Sequence, residues 1–402
     1  DIAAAVDKNK GYVVFNPHSF GGKGYVKVDG TTKIVNDLPS KGYYVTNDFV
    51  GTNFIKIEGN TVETNRLIVK FDDKYQIISL YDKAEDREVL SDGAVANELR
   101  LYADYPDTYD AWEWQNYELD KYKTLTTLDS AEIIEDGARR GIRIVRPYMQ
   151  STVNQIMWFY DDEMRIDFET VVDWHQHHQM IKTAFPVDIN SDKATYEIQF
   201  GTIERPTHKN TSWDAAKFEV CAQKYADLSD GGYGVSIVND CKYGHDIHDG
   251  VITLSLLRSP TYPAENADQG EIRFTYSICP HKGTLRESDT VRTAYALNYP
   301  LTAIRAEGEK SVIPERFSAV DTGRGNVVCE TVKESEDGKA NIIRLYECKN
   351  IKTRVSLSTD LKFSKAYLCD LQENPIRELE VVDGKINTEL RGFEIVSVRL
   401  EK

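Results

Sequence analysis

The chain has 402 residues, 41% of them hydrophobic and 28% charged, which is enough to bury two or three separate cores and too apolar for a disordered polymer. Its 65 Asp and Glu outnumber 49 Lys and Arg, for a formal charge of −16. That sign opposes nucleic acid, whose binding is driven by phosphate neutralisation, and opposes anionic membrane surfaces; neutral sugars or a soluble partner suit it better.

The opening DIAAAVDKNKGYVV has neither an initial Met nor the basic start and apolar centre of a signal peptide, and reads as the middle of a longer chain entering a strand. Between 11 and 60, the runs YVVFNP, KGYVKVDG, TKIVND, KGYYVTND and NFIKIEGN are punctuated by Gly, Asn, Asp and Pro, the rhythm of a small β-sandwich. Longer strands are expected from 61 to 300. Leu67, Val69 and Phe71 alternate and lead into a strand over 74–82. The segment 96–123 crowds acids and aromatics too closely for an ordinary core strand. Strand-like runs follow over 133–147 and 151–174, the second placing Ile166, Phe168, Thr170, Val172 and Trp174 on one face. A strand is expected at Lys224–Leu228, a turn at Asp230-Gly231-Gly232 and a strand at Val235–Val238. Phe274, Tyr276 and Ile278 mark a late strand before Pro280 and His281. One helix is expected over 287–297, with Asp289 as cap and Pro300 as stop. From 301, NVVCETVKE, NIIRLYECK, TRVSLSTD, KAYLCDLQ and FEIVSVRLE repeat the sandwich rhythm to within two residues of Lys402, which predicts a native C-terminus. Three consecutive all-β domains are therefore expected, at 1–60, 61–300 and 301–402. Six scattered cysteines, with no CxxC pair or zinc spacing, suggest reduced thiols in a cytoplasm, and no run is apolar enough to span a membrane.

The stretch 184–246 carries the most information. It reads strand, polar loop, hairpin, and it gathers Arg205, His208 and Asn210 in one loop and Asn239, Asp240, Lys242 and Tyr243 in another. Its motifs ATYEIQFG, RPTHKNTSWD, FEVCAQKYADLSD and NDCKYG, continued by LSLLRSPTYPAENADQG and FTYSICPHKG, resemble the C-terminal half of glycoside hydrolase family 38 α-mannosidases, particularly the cytosolic and bacterial branch. The segments YVVFNP, DYP…YDAW, RLYE and GFEI are similar to further parts of the same family. This resemblance implies a large two-sheet supersandwich, galactose-mutarotase-like, flanked by smaller β-sandwich domains. It also implies a parent enzyme that hydrolyses terminal α-mannosides with retention, using a divalent metal, usually zinc, and an Asp nucleophile. Family members keep the nucleophile and the zinc in an N-terminal domain whose motifs are not in this sequence. The chain is thus expected to hold no catalytic residue, cofactor or metal site of its own. It would be inactive alone and would have as partners that N-terminal catalytic domain, an α-mannoside oligosaccharide and, in some assemblies, further copies of itself; no nucleic acid or membrane partner is expected.

Several clusters invite a direct chemical reading. His175 and His177 share a strand face with Asp173 and could hold zinc, but their place between two alternating runs fits a polar turn. Asp104, Asp107, Asp110 and Glu113 lie near Trp112 as a glycosidase's paired carboxylates would, or form a solvated loop; by the resemblance, Asp110 and Trp112 are cleft-wall residues. Arg258 follows an apolar strand and precedes Ser259-Pro260. It could fork onto sugar hydroxyls, as the resemblance implies for an Arg at this place, or pair with Asp268 or Asp240. Arg205, His208, Asn239, Asp240, Lys242 and Tyr243 could bind sugar or dock the catalytic domain. Two other classes stay open. One is an aldose-epimerase-like enzyme with His208 or His281 beside a carboxylate; the other is a sugar-binding module using Trp112, Trp114 and Trp213.

Overall fold

The computed structural model describes residues 2–51, 54–114 and 121–402, and its elements are almost all antiparallel strands. The chain packs as two compact units, one made of residues 1–51, 198–202 and 295–402, the other of 52–197 and 203–294.

The first unit holds a six-stranded sheet in the order Arg316–Ser318, Gly42–Thr46, Tyr12–Asn16, Leu301–Arg305, Gly22–Val28, Thr31–Leu38. Short N-terminal strands alone would leave an unpaired edge. Here Leu301–Arg305 inserts between Tyr12–Asn16 and Gly22–Val28, antiparallel to the first and parallel to the second. Alternation along Tyr12–Asn16 buries Tyr12 and Val14 in one cluster, with Val26 and Val35, and Val13 in another, with Tyr43 and Val45. The same unit has a sandwich of a five-stranded and a three-stranded sheet over 327–401, whose core includes Ile343, Leu345, Leu357, Ile386 and Val398.

The second unit is built on a nine-stranded sheet. Its order is Ser130–Asp136, Arg139–Tyr148, Ser151–Tyr160, Ile166–Trp174, Gly270–Lys282, Tyr233–Asn239, Tyr225–Ser229, Lys193–Ile198, Gly201–Pro206. A six-stranded sheet runs Tyr122–Thr124, Glu98–Ala103, Gln179–Pro186, Val251–Arg258, Gly244–His248, Val220–Cys221, and a five-stranded meander spans Lys56–Glu58 to Arg87–Glu88. One apolar core joins all three sheets, drawing on Val69, Leu80, Leu101, Phe168, Phe185 and Tyr276. Rings from facing sheets meet there: Phe168 and Phe185 lie 5.8 Å apart, and Phe185 and Tyr276 6.3 Å. Polar groups caught between the layers satisfy one another. Tyr276 Oη donates to Asn97 Oδ1 at 2.6 Å, Gln155 Nε2 donates to Thr170 Oγ1 and Tyr276 Oη at 2.9 Å, and Asn97 Nδ2 donates back to Gln155 Oε1 at 2.6 Å.

This is the all-β supersandwich architecture, and the expected face Ile166, Phe168, Thr170, Val172, Trp174 is buried throughout. The two long runs behave differently from a simple strand. The first folds back at Gly137, which has a φ of 61°, and the second breaks over 161–165, so each is two strands of a meander. The crowded segment 96–123 contains a central strand, Glu98–Ala103, with Leu99, Leu101 and Tyr102 buried; its residues 115–120 lie outside the described residues. The expected helix forms as Thr290–Asn298.

Candidate functional site

Strand register decides which loops of the larger unit share an end. In the six-stranded sheet Ala103 pairs with Gln179 and Arg258 with Met180. Gly244 opens a strand antiparallel to Val251–Arg258. In the nine-stranded sheet Trp174 pairs with Gly270 and Asn239 with Tyr276. Residues 175–178 join Trp174 to Gln179, and 240–243 join Asn239 to Gly244. The loops 104–114, 175–178, 240–243 and 259–269 therefore leave the sandwich at one end, which includes Arg258, Asp110, Trp112, Asn239, Asp240, Lys242 and Tyr243. Arg205 and His208 do not join them. Thr207, between the two, receives its partners from Ser191 and Asp192, just ahead of Lys193–Ile198, at the other end of the sheet.

Arg258 fastens the first of these ends. Its Nε and Nη2 donate to the two carboxylate oxygens of Asp104 at 2.6 and 3.0 Å, the bidentate fork a guanidinium favours. Nη1 donates to the carbonyl of Ala111 at 3.2 Å; Nη2 also reaches the carbonyls of Asp110, at 2.9 Å, and Glu113. Asp104 is 1% exposed. Its partner is thus neither of the acids expected from sequence: Asp268 accepts only the backbone N–H of Arg258, at 3.1 Å, and Asp240 accepts the N–H of Thr275 at 3.0 Å.

Asp110 closes the same loop from the other side. Its Oδ2 accepts the N–H and hydroxyl of Thr261, at 2.6 and 3.0 Å, and the N–H of Tyr262, at 3.0 Å. Burial works against its charge, but these hydrogen bonds and nearby His178 outweigh it and hold the carboxyl below the usual range. The other oxygen, Oδ1, is buried 3.6 Å from His178 Nδ1 and has no hydrogen-bond partner among the described residues. His178 itself is stacked under Tyr105, centroids 4.7 Å apart. The clamped loop presents Trp112, and the 259–269 loop joined to it presents Tyr262; the two rings are each 64% exposed and 6.3 Å apart.

The neighbouring 240–243 loop is tied to the sheet. Fully buried Asn239 accepts the N–H of Lys242 at 2.7 Å and donates to the carbonyl of Gln223, while the Lys242 ammonium sits 4.6 Å over the Phe274 ring. Tyr243 is exposed at its tip. At the far end, Arg205 stacks 4.9 Å over Tyr196, and His208 lies 3.7 Å from Asp214, which the Thr211 hydroxyl and His208 hold below the usual carboxylate range. Trp213 is 79% exposed nearby. Trp114 is packed between Tyr102 and Phe218 and is not a surface platform. His281 does lie against a carboxylate, Asp227, at 2.7 Å.

His175 bonds Asp173 at 2.9 Å within the connection between the two sheets, and no three His, Cys, Asp or Glu side chains among the described residues converge as a metal would require. His175 and Asp173 by themselves fall short of the three or four protein ligands that a zinc ion takes. Sequence reading left out Asp104, Thr261 and Tyr262 as structural partners. Asp104 was visible as one of four nearby acids, but only long-range pairing reveals which acid meets the arginine.

The fold is an all-β supersandwich with one end closed by the Arg258 clamp. By sequence the chain is a member of the family "Glycosyl hydrolases family 38 C-terminal domain", matched over residues 62–266, with "Glycosyl hydrolases family 38 C-terminal beta sandwich domain" matched over 326–398. It is 34% identical over 387 residues to Alpha-mannosidase 2C1 of Homo sapiens, covering 94% of this chain and 36% of that protein. It is 38% identical over 283 residues to Alpha-mannosidase G of Dictyostelium discoideum, covering 68% and 26%. The chain thus spans between about a quarter and about a third of the length of these relatives. The crystal structure of an alpha-mannosidase from Enterococcus faecalis V583 superposes with a TM-score of 0.73 over 97% of this chain and 51% of that one, at 16% identity, a likeness of fold. No described helix is long and apolar enough to cross a membrane.

Proposed function

We propose that this chain is the β portion of a retaining, metal-dependent α-mannosidase acting on terminal α-mannosides, and that its Arg258 end completes a cleft whose nucleophile and zinc are supplied by sequence outside it. The observation that carries this reading is the clamp itself. A guanidinium that spends its donors on Asp104 and three carbonyls is built to hold a loop, and the loop it holds offers Trp112 outward beside Tyr262 of the 259–269 loop. Such a rim suits a sugar face or a neighbouring domain. Family membership, with a span of between about a quarter and about a third of the relatives' length, supports the assignment of catalysis to the rest of the parent protein. In this division of labour the chain's own residues position and shield, and they bind no metal. Cys221 and Cys241, free and exposed thiols, support a cytoplasmic setting.

Two measurements test the proposal. The 402-residue chain is expected to give no turnover of an aryl α-mannoside; saturable hydrolysis by the purified chain rejects the assignment. In the intact parent, Trp112→Ala is expected to raise KM several-fold with little loss of kcat, the signature of lost uniform binding. An unchanged KM removes Trp112 from the cleft. The exposed Trp112–Tyr262 pair also favours a second reading, a sugar-binding module that works alone, which predicts glycan binding by the chain that Trp112→Ala abolishes.

A further inference from the structure

At the end of the nine-stranded sheet away from Arg258, strand Gly270–Lys282 and the turn 161–165 open a cleft of about 270 Å³, closed on one side by the start of helix Thr290–Asn298. Its best-fixed side chain is His281. The imidazole is 10% exposed, and its Nε2 is bonded to Asp227, 1% exposed, at 2.7 Å. Asp227 is held in turn by the hydroxyls of Ser229 and Ser236, at 2.8 and 2.7 Å. Gly234 lies opposite His281 in the register, and a Cβ there would come within 2.2 Å of His281 Cε1, so the backbone is cut away to seat this ring. His281 lines the cleft, with Nδ1 3.4 Å from the carbonyl of Lys282.

The surrounding charges choose the ligand class. Arg66, Arg165 and Lys282 line the cleft together with four acids, Asp162, Glu163, Glu287 and Asp289, and Arg165 lies 3.5 Å from Asp167 and 4.5 Å over Tyr160. Buried Asp227 and Asp167 stand behind the floor, so the field is unfavourable to an anion. The lining is mixed, with polar donors and acceptors beside the apolar atoms of Met164, Cys279 and Pro280. The volume lies just under the lower bound of ordinary ligand pockets, roughly 300 Å³, which suits one ring and not a chain of them. We propose that this cleft binds a single neutral sugar ring, independently of the Arg258 end. No feature of the family assignment requires it, and it holds or fails whether or not the Arg258 end lines a catalytic cleft.

The test is NMR titration of the full chain with methyl α-D-mannopyranoside and, separately, inorganic phosphate, following the His281 ring C–H signals. Saturable shifts with the mannoside and a Kd on the order of 1 mM are expected, with none from phosphate. Thr293→Tyr, which fills the cleft, is expected to weaken binding at least about tenfold at unchanged unfolding temperature, a loss of about 1.4 kcal/mol. Lys282→Ala, at the exposed mouth, serves if that variant does not fold and should weaken binding while leaving unfolding unchanged. Trp112→Ala is expected to leave the titration unchanged. Absence of saturable shifts, saturable phosphate binding in place of sugar, sugar binding indifferent to a folded Thr293→Tyr, or its loss on Trp112→Ala each overturns the proposal.

Discussion

Arg258 and Arg205 both stand at strand ends of the larger unit, at opposite ends of its sandwich, and each is followed by a polar loop carrying an exposed aromatic ring, Tyr262 in one and Trp213 in the other. Arg258 is tied to one buried carboxylate and to carbonyls of a single ten-residue stretch, so the loop and the strand behave as one piece. Arg205 lies flat over Tyr196; its Nη1 is buried without a hydrogen-bond partner among the described residues, and the loop beyond it is held by its own turn, with Thr211 capping the short helix Ser212–Ala215. The same residue type thus does two jobs. One arginine positions a loop across a sequence gap of about 150 residues, and the other pads an aromatic ring.

The sharpest way to break this contrast is Arg258→Ala. It leaves Asp104 buried and unpaired, which typically costs about 3–5 kcal/mol. Urea unfolding should show that loss, and limited proteolysis should show new cleavage within 104–114. Arg258→Lys should recover little, because an ammonium cannot fork onto the carboxylate and reach three carbonyls at once. A loss below about 1 kcal/mol would place the pair with surface ion pairs and remove the clamp.

Asp110 gives the next effect. Asp110→Ala strands the N–H groups of Thr261 and Tyr262, at a cost of about 1.5–3 kcal/mol. Its carboxyl is depressed in the folded chain, so it binds protons less readily there than in the unfolded chain, where the ordinary value is about 3.9. Its contribution is therefore fully present above that value and fades as pH falls through the lower folded one. Unfolding curves for the parent chain and Asp110→Ala should converge at acid pH; a gap that stays constant down to about pH 2 contradicts the charge-based account.

These two residues also mark how far the sequence could be read. Local periodicity was enough for Ile166–Trp174, where alternation and burial coincide, and for the helix, where Pro300 sets a stop. Family-like motifs carried the architecture further than periodicity could. Neither resolves pairings across long loops. Asp104, Asp107, Asp110 and Glu113 are equivalent as letters, and Arg258 has acids on both sides in sequence. Only the antiparallel pairing of Glu98–Ala103 with Gln179–Pro186, and of that strand with Val251–Arg258, delivers Asp104 to it. The separation of Arg205 and His208 from the rest was hidden for the same reason. The two loops are close in the chain, whereas Gly201–Pro206 carries Arg205 and His208 along the sheet to its other end.

Arg205→Ala is the smallest expected change and the one that tests whether the far loop is tied to the sheet at all. Removing a guanidinium from the face of Tyr196 forfeits about 0.5–1 kcal/mol of cation–π attraction. No carboxylate partner is left buried, and the 207–214 loop keeps its bonds to Ser191 and Asp192 and its cap at Thr211. Unfolding should shift by no more than that amount, and proteolysis of 207–218 should stay as in the parent chain. A loss comparable to Arg258→Ala would mean that Arg205 also organises its loop through the buried Nη1, and the functional contrast between the two ends would reduce to a difference in the partner each arginine uses.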